Sequence, residues 1–282
     1  MDDGSVRTFD AGGPCFHYYS TRSGTGSDDA LDVSAGGGFR CMIRRGSPPL
    51  ERTVWCWGAN NYAQLGIGSV AETAAEVQVQ SLDDMGNPTP LRGIVDIAST
   101  EAHTCAVDAA GQVWCWGYNA HNQCGHNFAS TDRLSRFAVR VADVSGARNV
   151  AVGSFNSCAR GPGMLKCWGA RSNGVLGDGA PVSSGGSLPV SLSGLDLSRV
   201  SVMDVGYDCA CAIVEPATGV DGGVSDQSVR CWGNNANGIV TGTRDSRIFT
   251  SPARELVPLR TGRRIQSVHV GHLGAFLVYD DG

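Results

Sequence analysis

Apolar and polar positions alternate in short runs along this chain, and the runs are cut every few residues by Gly, Asn or Asp. Around residue 100 the pattern is easy to follow. Val95, Asp96, Ile97 and Ala98 alternate, His103 to Val107 is apolar and β-prone, Asp108-Ala109-Ala110-Gly111 reads as a turn, and Gln112 to Trp116 is a further strand. Gly111 suits a three-residue hairpin loop whose last residue is left-handed. That loop pairs Asp108 with Gln112 and sets Cys105 opposite Cys115, within the spacing a disulfide spans.

The pattern repeats. Four copies of Cys-Trp-Gly stand at Cys56, Cys115, Cys167 and Cys231, each followed by a polar turn: Asn60 to Gly66, Asn119 to Gly125, Arg171 to Gly177 and Asn234 to Val240. Upstream of each, a Gly or small residue leads to a second cysteine five positions on, at Cys41, Cys105, Cys158 and Cys211. A fifth copy, from Gly271, has Phe276 in the cysteine place. Successive steps of 64, 53, 53 and 65 residues define a unit long enough for a four-stranded blade.

The hairpin register extends to the other units, pairing Cys41 with Cys56, Cys158 with Cys167 and Cys211 with Cys231. The N-terminal run Gly4 to Asp10 fits the same strand frame, with Thr8 in the cysteine place and Phe9 in the tryptophan place. Cysteine is thus lost from both partners of one expected pair, Phe276 and Thr8. The expectation is a single all-β propeller of about five blades over residues 1–282. Its units run approximately 31–93, 94–146, 147–199, 200–264 and 265–282, the last closed by 1–30 and completed by the N-terminal strand. A longer array cut in phase leaves the same pattern.

The run from Val54 through Gln64-Leu65-Gly66, followed by Val95, Ile97, Ala98 and His103 to Val107, resembles the regulator of chromosome condensation repeat family. The resemblance covers nearly the whole chain. It implies a propeller, commonly seven-bladed in the founding members, where this chain shows about five units. The family's founding activity is guanine nucleotide exchange on a nuclear GTPase with chromatin binding, but no exchange residue is matched. The cysteine pairs resemble those of bacterial secreted versions, among them an inhibitor that covers the active site of a β-lactamase.

Composition narrows the picture further. Lys166 is the only lysine, and acidic residues outnumber basic ones 27 to 22, which argues against a nucleic-acid-binding stripe. No apolar run is long enough for a membrane helix, and the acidic start Met1-Asp2-Asp3-Gly4 has no signal-peptide pattern. Trp57, Trp116, Trp168 and Trp232 recur at one strand position and are expected in the core, with the adjacent glycines letting neighbouring sheets approach closely.

Few residues offer chemistry. His103 varies with the frame and reads as structural. His121, Cys124 and His126 cluster, but their spacing fits no standard zinc pattern. Cys15, Cys124 and Cys209 are left over and read as buried thiols. No catalytic, metal or cofactor residues are assigned.

The expectation is therefore a monomeric, non-enzymatic binding module, secreted or surface-attached, whose partner is a protein. An exchange factor or chromatin adaptor and a secreted enzyme inhibitor are the alternatives. The stretches Tyr18 to Leu31, Ser69 to Arg92, Ser183 to Ser187 and Glu215 to Ser228 depart most from the frame and are the expected contact loops.

Overall fold

The computed structural model describes residues 29–46, 51–127, 133–183, 186–216, 227–252, 263–272 and 274–280. The N-terminal strand expected over Gly4 to Asp10, and Cys15, lie outside the described residues.

Among the described residues the chain forms five sheets, and the protein is an all-β propeller built of blades. Blade 1 comprises β1 (Ala30–Ala35), β2 (Phe39–Arg45), β3 (Arg52–Gly58) and β4 (Thr73–Gln78). Two short strands, β5 (Gln80–Leu82) and β6 (Pro88–Pro90), precede blade 2: β7 (Ile94–Ser99), β8 (His103–Asp108), β9 (Val113–Tyr118) and β10 (Leu134–Arg140). Blade 3 comprises β11 (Asn149–Val152), β12 (Asn156–Gly161), β13 (Met164–Ala170) and β14 (Gly186–Ser191). Blade 4 comprises β15 (Val200–Val205), β16 (Cys209–Val214), β17 (Ser228–Asn234) and β18 (Ile248–Phe249). Blade 5 contributes β19 (Ile265–Val270) and β20 (Ala275–Tyr279).

Each four-stranded blade is an antiparallel meander. The registers place Cys41 opposite Cys56, Cys105 opposite Cys115, Cys158 opposite Cys167, and Cys211 opposite Cys231. All four pairs are disulfide-bonded, with Cα atoms 4.1 Å apart.

The innermost strands β1, β7, β11, β15 and β19 together line one axial cavity of about 290 Å³. Side chains tie neighbouring inner strands together. Ser34 Oγ accepts from Ser99 N at 2.7 Å, Asp96 Oδ2 from Val150 N at 2.7 Å, and Asp204 Oδ2 from Val270 N at 2.7 Å. Both carboxyls are pushed above the usual carboxylate range because burial penalises their charge.

Four apolar clusters fill the seams between consecutive blades. A signature tryptophan is the largest member of three of them, the seams between blades 1 and 2, 2 and 3, and 3 and 4. Trp116, Trp168 and Trp232 are each 0% exposed, and each reaches back into the preceding blade. Their indole N–H groups donate to the carbonyls of Gln64, Gln123 and Val175 at 2.7–2.8 Å. Trp57 differs: it is only half-buried.

The signature glycines act within a blade rather than between sheets. Gly58, Gly117, Gly169 and Gly233 have φ of 103–109°. A Cβ on Gly117 would lie 2.4 Å from the Ala102 carbonyl of the same blade. The requirement is for a left-handed backbone beside the second strand, which only glycine meets without strain.

Candidate interaction surface

In each meander the turn joining the first two strands and the turn after the third strand lie at the same end, so both sets of turns ring one mouth of the propeller. The second set is held rigidly from within. Asn60 Oδ1 accepts from Leu65 N, while its Nδ2 donates to the carbonyls of Ser69 and Ala71. Asn119 accepts from Cys124 N and donates to His126 O, and Asn235 accepts from Val240 N and donates to Thr243 O. All three asparagines are essentially buried. The fourth unit therefore uses Asn235, one residue beyond the Asn234 start read from sequence. In the third unit Arg171 replaces the amide and pairs with Asp178 at 2.8 Å.

Two residues after each buried asparagine or Arg171, the turn points a side chain outward: Tyr62, His121, Asn173 or Asn237. Tyr62, His121 and Asn237 reach the next blade, whereas Asn173 Nδ2 donates to Asn156 Oδ1 of its own blade. Tyr62 packs edge-on to Tyr118 with centroids 5.3 Å apart, and His121 packs edge-on to Phe155 at 5.1 Å. Phe155 meets Tyr207 at 6.1 Å, Tyr207 meets His272 at 4.5 Å, and Asn237 Nδ2 donates to His272 O at 3.1 Å. The chain His121–Phe155–Tyr207–His272 thus crosses blades 2 to 5, one side chain per blade. Tyr62 is 47% and Tyr207 36% exposed.

Beside Tyr207, Asp208 accepts from Asn234 Nδ2 at 2.9 Å. Burial pushes its carboxyl above the ordinary range, with Asn234 and His272 opposing the shift. His121 is held below its ordinary value by burial and by the Arg133 charge.

The opposite mouth carries part of the expected contact loops. Within Ser69 to Arg92, β5 and β6 form a hairpin that docks beside blade 2, β5 running parallel to β10 through Ser81 and Ala138. Its tip is braced by Asp83, whose Oδ1 accepts from Met85 N and Asn87 N, and it presents Met85 at 89% exposure. Most of Tyr18 to Leu31 and of Glu215 to Ser228, and part of Ser183 to Ser187, lie outside the described residues.

The remaining sequence candidates are internal. His103 is fully buried, with Nε2 2.9 Å from Ser157 Oγ, and burial holds its pKa down at about 3. Cys124 and Cys209 are free, buried thiols; burial raises both, Cys209 to about 12. His121, Cys124 and His126 do not converge: His121 packs edge-on to Phe155, the Cys124 thiol donates to Tyr118 O, and His126 Nε2 lies 3.1 Å from Ser135 Oγ. No metal-holding group of three His, Cys, Asp or Glu side chains occurs among the described residues. In the axial cavity Ser267 Oγ lies 2.9 Å from His269 Nε2, while Asp204 is engaged by Val270 N.

Sequence reading missed the aromatic row. Tyr207 and His272 share one frame position, but Gly37, Glu101 and Ser154 hold it in the other units, and His121 and Phe155 occupy other positions, so no repeat signal marks the row.

Residues 53–107 and 94–123 match two models of the Regulator of chromosome condensation (RCC1) repeat. Alsin of Rattus norvegicus is 31% identical over 177 residues, which is 60% of this chain and 10% of alsin. The human E3 ubiquitin-protein ligase HERC2 is 26% identical over 187 residues, 66% of this chain and 4% of HERC2. The chain therefore spans a tenth or less of these relatives. Among solved structures, Prp20p of Saccharomyces cerevisiae, described with its binding to Gsp1p and histones, superposes with a TM-score of 0.68 at 18% identity. That match covers 93% of this chain and 58% of Prp20p. Human WBSCR16 gives 0.70 at 21% identity, covering 99% and 70%.

Proposed function

Because the chain carries repeats of the regulator of chromosome condensation family, we propose that it is a non-catalytic protein-binding propeller. It works in an oxidising compartment, at the cell surface or beyond it, and engages its partner through the aromatic row of the turn-bearing mouth. The observation that carries this reading is the continuous packing of His121, Phe155, Tyr207 and His272 across four blades. Tyrosine and phenylalanine offer large contact areas at low entropic cost, and such residues dominate binding energy where they cluster. Here the scaffold holds them in advance: the His121 turn is pinned by the buried Asn119 amide, and Phe155, Tyr207 and His272 sit in tight turns closed by Gly153 N to Asn156 O, Gly206 N to Cys209 O and Gly271 N to Gly274 O, so little ordering cost falls on association. The four hairpin disulfides support the oxidising compartment, where such bonds persist.

The test begins with capture of a partner from the native host by immobilised protein, followed by identification and reconstitution from purified components. Phe155→Ala/Tyr207→Ala/His272→Ala is then compared with Met85→Ala on the opposite mouth. The reading expects the triple variant to weaken binding by at least about tenfold and Met85→Ala to leave it near wild type. Wild-type affinity in the triple variant refutes the assignment of the surface.

A further inference from the structure

Three residues after Asn60, Asn119, Arg171 and Asn235, the turn of each blade enters the left-handed region: Ala63, Asn122, Gly174 and Gly238 have φ of 61°, 62°, 75° and 78°. Glycine takes that conformation without strain, and in blades 3 and 4 an asparagine precedes it. The chain's two Asn-Gly steps, Asn173-Gly174 and Asn237-Gly238, therefore share one frame position at one mouth. Such a step carries its own chemistry, because no side chain on the glycine shields its amide nitrogen from the asparagine Cγ. At Gly174 the fold also shuts out a bulkier residue, since an added Cβ would lie 2.7 Å from Ile248 Cγ2 of blade 4.

The two steps are held differently. Gly238 N–H donates to Asn235 O at 2.8 Å, and Asn237 Nδ2 donates to His272 O at 3.1 Å. In blade 3 the corresponding contacts are longer than a well-formed N–H···O bond: Gly174 N to Arg171 O is 3.4 Å and Asn173 Nδ2 to Asn156 Oδ1 is 3.3 Å. Val175 N lies 3.5 Å from Asn173 Oδ1. Both the nucleophile and its target are thus loosely restrained at Asn173, and Asn173 is partly exposed to water.

We propose that Asn173 is a site of spontaneous deamidation in the folded protein, while Asn237 is protected. The Gly174 nitrogen attacks Asn173 Cγ and forms a C–N bond, Nδ2 leaves as ammonia with the proton from the Gly174 N–H, and water opens the succinimide to aspartate or isoaspartate. Water is the one co-reactant. The product sets a carboxylate against Asn156 Oδ1 in place of a donor. Asn156 is 0% exposed, its Nδ2 donates to Ala170 O at 2.6 Å, and Ala170 N donates to Phe155 O at 2.9 Å. A buried acceptor left facing negative charge is costly, and the cost falls on the turn that carries Phe155. The assignment is independent of what the mouth binds.

The test keeps the protein at mildly alkaline pH, native and in guanidinium chloride, until the denatured sample has converted, and then maps peptides by mass spectrometry. In denaturant both Asn-Gly peptides are expected to exchange NH2 for OH at similar rates. In the native protein the Asn173 peptide is expected to convert while the Asn237 peptide lags far behind. Equal native rates, a faster Asn237 or conversion of neither overturns the proposal. Asn173→Asp installs the product, and Asn173→Ser removes the amide without adding charge. The aspartate variant is expected to melt at the lower temperature of the two, and equal melting temperatures overturn the coupling to Asn156.

Discussion

The indole N–H of Trp168 donates to the main-chain carbonyl of Gln123 at 2.8 Å across the seam between blades 2 and 3, with both residues buried. The same carbonyl accepts from Ser157 Oγ at 2.9 Å, and Ser157 lies 2.9 Å from His103 Nε2. One turn carbonyl therefore links two blades through an aromatic anchor and a short polar relay.

Trp168→Ala removes a large buried side chain and leaves that acceptor with one donor fewer. Truncations of this kind cost about 3–5 kcal/mol. Trp168→Phe keeps most of the packing and is expected to lose less, about 0.5–1.5 kcal/mol for the lost hydrogen bond, because Gln123 O still accepts from Ser157 Oγ. Urea unfolding of the two variants measures the difference.

The disulfides close segments with sequence separations of 9, 10, 15 and 20 residues. In the chain-entropy account each constrains the unfolded chain by about 3 kcal/mol. Against a net stability of about 5–15 kcal/mol for a domain, reduction should lower the melting temperature sharply. Calorimetry with and without a strong reductant checks this, and an unchanged transition contradicts a structural role for the bonds.

Burial holds the His103 pKa at about 3, so the native imidazole stays neutral while the unfolded one titrates near the usual value. With the folded pKa depressed, the unfolded state binds the extra proton. Stability is then intact above about pH 6.5 and falls as the pH drops toward 3. His103→Gln is expected to flatten this slope between pH 6 and 4. Unfolding free energies across that range decide the matter.

Asp204 has the opposite sign. Burial raises its folded pKa, so the native state keeps its proton to higher pH than the unfolded chain, and stability declines as pH rises through that interval. Asp204→Asn, which retains an acceptor for Val270 N–H, should match or exceed wild-type stability at pH 7. Asp204→Ala strands that donor and should cost about 1–3 kcal/mol. Thermal melts of the pair at pH 7 distinguish these outcomes.

The free thiols of Cys124 and Cys209 are buried, with their ionisation pushed upward by burial, Cys209 to about 12. Thiolate is the reactive form. Iodoacetamide at pH 8 should leave both unmodified in the native protein and label both after unfolding, as read by peptide mass mapping.

Much of the architecture was legible in one dimension because it is local. Strand alternation, the hairpin loop at Gly111 and the cysteine register depend on residues within about 20 positions of one another, so pairing Cys105 with Cys115 required no knowledge of the third dimension. The repeat then multiplied one local solution into blades. Relations between blades were hidden because they depend on how successive sheets stack. His121, Phe155, Tyr207 and His272 come from three different repeat positions and become neighbours only when turns from four blades meet at one mouth. Trp57 reads like its three counterparts, yet burial of an indole is decided by what the adjoining sheet supplies, and that sheet is not written in the tryptophan's own repeat.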